Sequence, residues 1–97
     1  MNKVIVLIPF YNELNNLNEL KKLIENLSKL DINFKFVFCD DNSNDNTADS
    51  LSDYLNQNNL NYEVIKNNTN LGHGGSLIRL SKLEQIKDFD FVLTLDF

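Results

Sequence analysis

At 97 residues, with 42% apolar and 24% charged residues, the chain has the make-up of a single folded domain (1–97) with one modest core, which excludes an extended disordered protein. A net charge of -5 without any lysine or arginine cluster removes the electrostatic footprint of a nucleic-acid binder and disfavours an anionic membrane surface. The single cysteine, Cys39, rules out an intrachain disulfide and a multi-cysteine zinc site; it fits a reducing compartment, and a cytoplasmic location is expected.

In chain order, Val4 to Ile8 is a short apolar run rich in β-branched residues, the pattern of a strand buried on both faces, and Pro9 is expected to stop it. The run is too short for a secretory signal, and nothing in the sequence approaches the roughly 20 apolar residues that cross a bilayer. From Glu13 the positions Leu14, Leu17, Leu20, Leu23, Ile24, Leu27 and Leu30 recur mainly at steps of three and four, which predicts a helix with one buried stripe, capped by Asn12.

Phe34 to Cys39 predicts a second strand, which ends abruptly in Asp40 and Asp41. A polar loop follows, and Asp45 is read as the cap of a second helix with a thin apolar face of Ala48, Leu51, Tyr54 and Leu55. Tyr62 to Ile65 predicts a short strand, polar enough for a sheet edge. The only three glycines, Gly72, Gly74 and Gly75, are read as one turn leading into a third helix carrying Leu77, Ile78, Leu80 and Leu83. Phe89 to Leu95 predicts a fourth strand that delivers Asp96.

The order βαβαβαβ predicts a three-layer α/β/α fold with a mainly parallel, Rossmann-like sheet. A last strand with no helix after it points to a truncated domain. Its uncovered edge, with Phe89, Phe91 and Phe97, is expected to expose apolar surface and favour self-association.

In such a sheet the loops after the strands share one edge, where ligands of open α/β folds bind. Pro9 to Glu13, Asp40 to Asp45, Asn67 to Gly75 and Asp96 therefore converge. They bring carboxylates, amides and a glycine turn, with Lys66, His73 and Arg79 as the nearby basic residues. That mixture suits a ligand with hydrogen-bonding edges and a metal-neutralised phosphate. His73 has no visible metal partner in the sequence and is read as a loop histidine.

Four segments together carry a resemblance: Val-Ile-Val-Leu-Ile-Pro-Phe-Tyr-Asn-Glu, Phe-Cys-Asp-Asp-Asn-Ser-Asn-Asp-Asn-Thr, Asn-Leu-Gly-His-Gly-Gly-Ser and Phe-Val-Leu-Thr-Leu-Asp. In order and spacing the chain resembles the N-terminal nucleotide-sugar-binding half of the family 2 glycosyltransferases with the GT-A fold. The resemblance implies binding of a nucleoside-diphosphate sugar, UDP- or GDP-linked, with Mg²⁺ or Mn²⁺. It implies that Pro9, Tyr11 and Glu13 form the first nucleotide-contacting loop and that Asp41 accepts a hydrogen bond from the base, with Asp40 beside it. Gly72 and Gly74 would let the backbone approach the donor, and Asp96 would be the first acid of the Asp-X-Asp metal motif, whose second acid would fall one residue past Phe97.

Two other α/β functions need features in the wrong places. A dinucleotide oxidoreductase wants its glycines after the first strand, and a phosphoacceptor receiver wants its acid pair there. In the resembled family the acceptor site and catalytic base lie beyond this segment, so nucleotide binding without transfer is the competing expectation.

Overall fold

The computed structural model describes residues 2–97. Four strands, β1 (Lys3–Phe10), β2 (Asn33–Asp40), β3 (Tyr62–Lys66) and β4 (Phe91–Thr94), alternate with three helices, α1 (Leu17–Ser28), α2 (Thr47–Gln57) and α3 (Gly72–Ser81). Short 3₁₀ turns at Leu14–Asn16 and Glu84–Asp88 complete the described elements. The strands form one parallel sheet in the order β3-β2-β1-β4, with Val6 opposite both Phe36 and Leu93.

The alternation of side chains along β1 divides the core into two layers. Val4, Val6, Ile8 and Phe10 join Phe36 and Phe38 beneath Leu17, Leu20 and Ile24 of α1 and Leu51 and Leu55 of α2. Ile5 and Leu7 join Val37, Cys39 and Leu80 of α3 on the opposite face, flanked by half-buried Leu83, Ile86 and Phe89. Helices thus cover both faces, as a parallel sheet requires, and the three-layer α/β/α expectation holds. Phe34, Phe36 and Phe38 stack along β2 with ring centroids 5.9 and 6.4 Å apart.

Several boundaries differ from the sequence reading. Strand β1 runs through Pro9 to Phe10. Leu7 uses its carbonyl toward β4, accepting from Leu95, and residues two apart point the same way. The N–H that Pro9 lacks therefore faces the side where β4 has already ended, so the proline costs no ladder bond. Helix α1 starts at Leu17, not near Glu13, because Asn12 turns to a positive φ of 50° and the 3₁₀ turn intervenes. Asn12 is not its cap.

The glycines are not a free turn either. Gly72, with φ +79°, opens α3, and Gly74 and Gly75 lie in its first turn. Strand β4 is shorter than expected and exposes Phe91, Val92 and Leu93 at 58, 48 and 36%. Phe89 and Phe97 are half-buried: Phe89 packs on the α3 face below the Lys3 ammonium, and Phe97 packs against the α1/α2 layer. The exposed apolar edge is therefore centred on Phe91.

Candidate functional site

The sheet order places a topological switch at β1. From β1 the chain steps through β2 to β3, then returns across the sheet to put β4 on the other side. A crevice forms where successive connections leave in opposite directions, at the carboxyl ends of β1 and β4. A cleft of about 260 Å³ lies there. Pro9, Phe10, Tyr11 and Glu13 line one wall, and Asp41, His73, Ser76 and Phe97 complete it.

Two loops of the cleft are tied together by small polar side chains. The backbone N–H of Asn12 donates to Ser43 Oγ at 2.9 Å, and Asn12 Oδ1 accepts from the Asn44 N–H at 2.9 Å. Asp45 Oδ2 accepts from the Leu14 N–H at 3.3 Å, while its Oδ1 accepts from the Thr47 N–H at 3.0 Å and from the Thr47 hydroxyl. Asp45 thus supports the first turn of α2 from one residue before Asn46, the actual cap position, and also braces the loop after β1. Burial raises its pKa, but the Thr47 hydroxyl, the Thr47 N–H and the Leu14 N–H outweigh that and hold it low.

Asp40 and Asp41 part company at the end of β2. Asp40 is buried, and its Oδ1 accepts from the Ser43 N–H at 2.9 Å, closing the turn in which Asn42 adopts φ 64°. It does not line the cleft. Asp41 does, although only 3% of it is exposed. Its Oδ1 accepts from the Leu71 N–H at 2.6 Å and from Asn67 Nδ2 at 2.9 Å, and its Oδ2 accepts from the Gly72 N–H at 2.9 Å.

Helix α3 has no side-chain cap at Leu71, so this carboxylate satisfies its first N–H groups from across the sheet and lies at the positive end of its dipole. Burial would raise the Asp41 pKa. The Leu71 N–H, the Asn67 amide, the Gly72 N–H and the Ser76 hydroxyl together outweigh it, and the group is held ionised below the ordinary carboxyl value.

Gly72 and Gly74 are not among the lining residues. Asp96 sits beside the cleft, next to Phe97, with its side chain 94% exposed and its Oδ1 3.1 Å from His73 Nε2. His73, read from sequence as an unassigned loop histidine, is on the cleft wall in the first turn of α3. Asn67 falls in a segment expected to converge there and Ser76 directly follows that segment, but the sequence assigns neither a role. Both are buried polar residues, and nothing distinguishes Asn67 from its asparagine neighbours in the sequence.

Among the described residues no helix is long and apolar enough to cross a membrane, and no group of three or more His, Cys, Asp or Glu side chains is set to hold a metal ion.

Comparison with known proteins agrees with this geometry. The chain is 33% identical over 97 residues to the undecaprenyl-phosphate 4-deoxy-4-formamido-L-arabinose transferase of Proteus mirabilis (strain HI4320), an alignment covering 99% of the chain and 29% of that protein. The crystal structure of S. aureus TarS 1-349 in complex with UDP-GlcNAc superposes with a TM-score of 0.71 at 31% identity, covering 97% of the chain and 26% of that one. The same TarS fragment in complex with UDP gives a TM-score of 0.70 at 30% identity, covering 97% of the chain and 27% of that one. The chain therefore spans less than a third of the length of these relatives. The family model for glycosyl transferase family 2 matches residues 5–95, and with the parallel GT-A-like sheet and its cleft at the β1/β4 switch, the chain belongs to that family.

Proposed function

We propose that this chain is the donor-binding part of a glycosyltransferase and holds a nucleoside-diphosphate sugar in the β1/β4 cleft. The observation that carries the reading is Asp41: a buried, ionised carboxylate on the cleft wall whose protein partners are all donors. Its Oδ2 accepts one hydrogen bond from the protein and so keeps a lone pair for a ring N–H, as uracil or guanine offers. Two TarS structures are described as complexes with UDP-GlcNAc and UDP, which supports a uridine donor.

Pro9, Tyr11 and Glu13 form the wall against which the nucleoside lies, Tyr11 offering an exposed ring at 44%. The ties from Asn12 to Ser43 and Asn44 hold that wall against the acid loop. Asp40 contributes indirectly, by closing the turn after β2. Gly72 and Gly74 contribute as the first turn of α3, in which the Gly72 N–H holds Asp41 Oδ2 and His73 lines the cleft. His73 is the basic side chain nearest to hand for a phosphate oxygen.

Asp96 offers an exposed carboxylate at the cleft mouth, a hard oxygen donor that fits Mg²⁺ or Mn²⁺ as one protein ligand, with phosphate oxygens supplying others. Such an ion, when bound, supplies positive charge against the departing diphosphate. Asp96 would give up its contact with His73 to take part, which frees His73 to face the phosphates. A reducing, cytoplasmic setting suits the lone buried thiol of Cys39. The exposed apolar edge at Phe91 would favour self-association of the chain.

Calorimetric titration with UDP, GDP and NAD, each with and without Mn²⁺, tests the reading. The expected result is metal-enhanced binding of a nucleoside diphosphate and none of NAD. Equal or absent binding of all three would overturn it.

A further inference from the structure

Beneath the cleft, the buried side chain of Asn67 is not itself on the cleft wall yet makes four hydrogen bonds, two of them to the lining residues Asp41 and Ser76. It directly follows β3 and is 4% exposed. Its Nδ2 donates to Asp41 Oδ1 and to Ser76 Oγ, both at 2.9 Å. Its Oδ1 accepts from Arg79 Nη1 at 2.6 Å and from Cys39 Sγ at 3.4 Å.

The orientation of this amide is dictated by its neighbours. A guanidinium has only donors and an ionised carboxylate only acceptors, so Oδ1 must face Arg79 and the NH₂ group must face Asp41. Arg79 is itself anchored, since the same Nη1 donates to the Lys66 carbonyl at 2.9 Å. Flipping the amide would set oxygen against carboxylate and NH₂ against guanidinium, two repulsive contacts in place of two attractive ones.

We propose that Asn67, locked in one orientation by Arg79, is a positioning residue for base selection: it shares Oδ1 of Asp41 with the Leu71 N–H while Gly72 donates to Oδ2, and this third bond sets where Oδ2 stands as the acceptor at the cleft. The inference rests on reading the cleft as a nucleoside-diphosphate site. A fixed acceptor favours a base edge that presents N–H and rejects one that presents a lone pair. Uracil has an N–H at N3, whereas cytosine, of nearly the same size and shape, has an acceptor there. A carboxylate held less firmly would meet the uracil N–H in poorer geometry and lose much of that preference.

The test compares UDP and CDP affinities, with Mn²⁺ present, for the wild type, Asn67→Ala and Arg79→Met. The expected result is a wild-type preference for UDP of about tenfold or more, falling to about twofold or less in both variants while circular dichroism shows the fold retained. A general loosening of structure would weaken both nucleotides together and leave their ratio alone, so the ratio separates positioning from mere support. If Asn67→Ala fails to fold, Arg79→Met decides, because its side chain reaches the cluster from an exposed position on α3. An unchanged ratio in folded Arg79→Met overturns the inference and leaves the nucleotide reading standing. A wild type that binds UDP and CDP equally also overturns the inference alone, and one that binds neither overturns both.

Discussion

The backbone N–H of Leu71 donates to Oδ1 of Asp41 at 2.6 Å, joining residues 30 apart in the sequence. With the neighbouring bond from Gly72 to Oδ2, it makes one carboxylate both the cap of α3 and the acceptor on the cleft wall. The start of α3 and the proposed base contact therefore cannot be moved independently.

Asp41→Ala is accordingly expected to destabilise the protein by about 2–3 kcal/mol, because the Leu71 and Gly72 N–H groups and the Asn67 amide lose a buried acceptor. Urea denaturation at neutral pH measures this. The same variant, where folded, is expected to lose its UDP binding. Unchanged stability would show that water replaces the carboxylate at no cost, and unchanged UDP affinity would remove Asp41 from base recognition.

Acid is expected to act on the same groups. Asp41 and Asp45 both have folded-state pKa values lowered from the ordinary 3.8, so near and below that pH the unfolded chain binds more protons than the folded one. Their contribution to stability is complete above the unfolded value and is lost as pH falls through the lowered folded values. Denaturation midpoints are expected to fall from about pH 4 downward, and more shallowly in Asp41→Ala. A midpoint that holds level from pH 5 to pH 2 would contradict both assignments.

The three glycines are expected to respond differently to alanine. At Gly75 an added Cβ would meet Leu71 Cβ at 2.9 Å, and that carbon cannot swing aside without moving the backbone that donates to Asp41. A loss of about 1–3 kcal/mol follows. At Gly72 the obstacle is φ +79° rather than space, at a cost of about 1–2 kcal/mol. At Gly74 nothing lies within 4 Å of the added carbon, and helix propensity predicts a gain of up to about 1 kcal/mol. Thermal melts of the three variants would check the order; a stabilising Gly75→Ala would refute the Leu71 contact.

These distinctions also show what was legible in the sequence and what was not. The apolar runs of β1 and β2 and the stripe of α1 are local patterns, so the fold and the positions of Asp41 and Asp96 just past their strands followed from periodicity, whereas Pro9 lies inside β1. The division of labour between Asp40 and Asp41 did not. Adjacent residues on a strand point to opposite faces, and which face meets the cleft depends on where α3 lands. The glycines were read as a turn because their propensity argues against a helix, whereas a carboxylate supplied from β2 caps the helix they start. His73 and Asn67 acquire partners only through contacts with residues far along the chain, which no local pattern encodes.

His73→Ala separates stability from binding. The pair with Asp96 joins side chains that are 52 and 94% exposed, and such contacts add little to folding. The melting temperature is therefore expected to move by no more than a degree or two. UDP affinity is expected to fall by up to about tenfold, the scale of one charge-assisted bond to phosphate, with uridine affinity unchanged. An equal loss for UDP and uridine would place His73 against the nucleoside and not the phosphates.

The edge strand sets up the last expectation. Among the described residues β4 pairs with β1 alone, and its outer edge carries unpaired backbone groups beside Phe91, exposed at 58%. An exposed apolar edge strand is a template for pairing with another chain, and a lysine on such an edge blocks that pairing by requiring a charge to be buried. Phe91→Lys is expected to leave the fold intact, because the ring contributes little to either core layer, and to abolish concentration-dependent association in sedimentation velocity. A wild type that stays monomeric at high concentration would refute association at this edge. Association that persists unchanged in Phe91→Lys would move the contact to another surface, with Leu71 and Ile78 of the α3 side, exposed at 49 and 57%, the next apolar positions to replace.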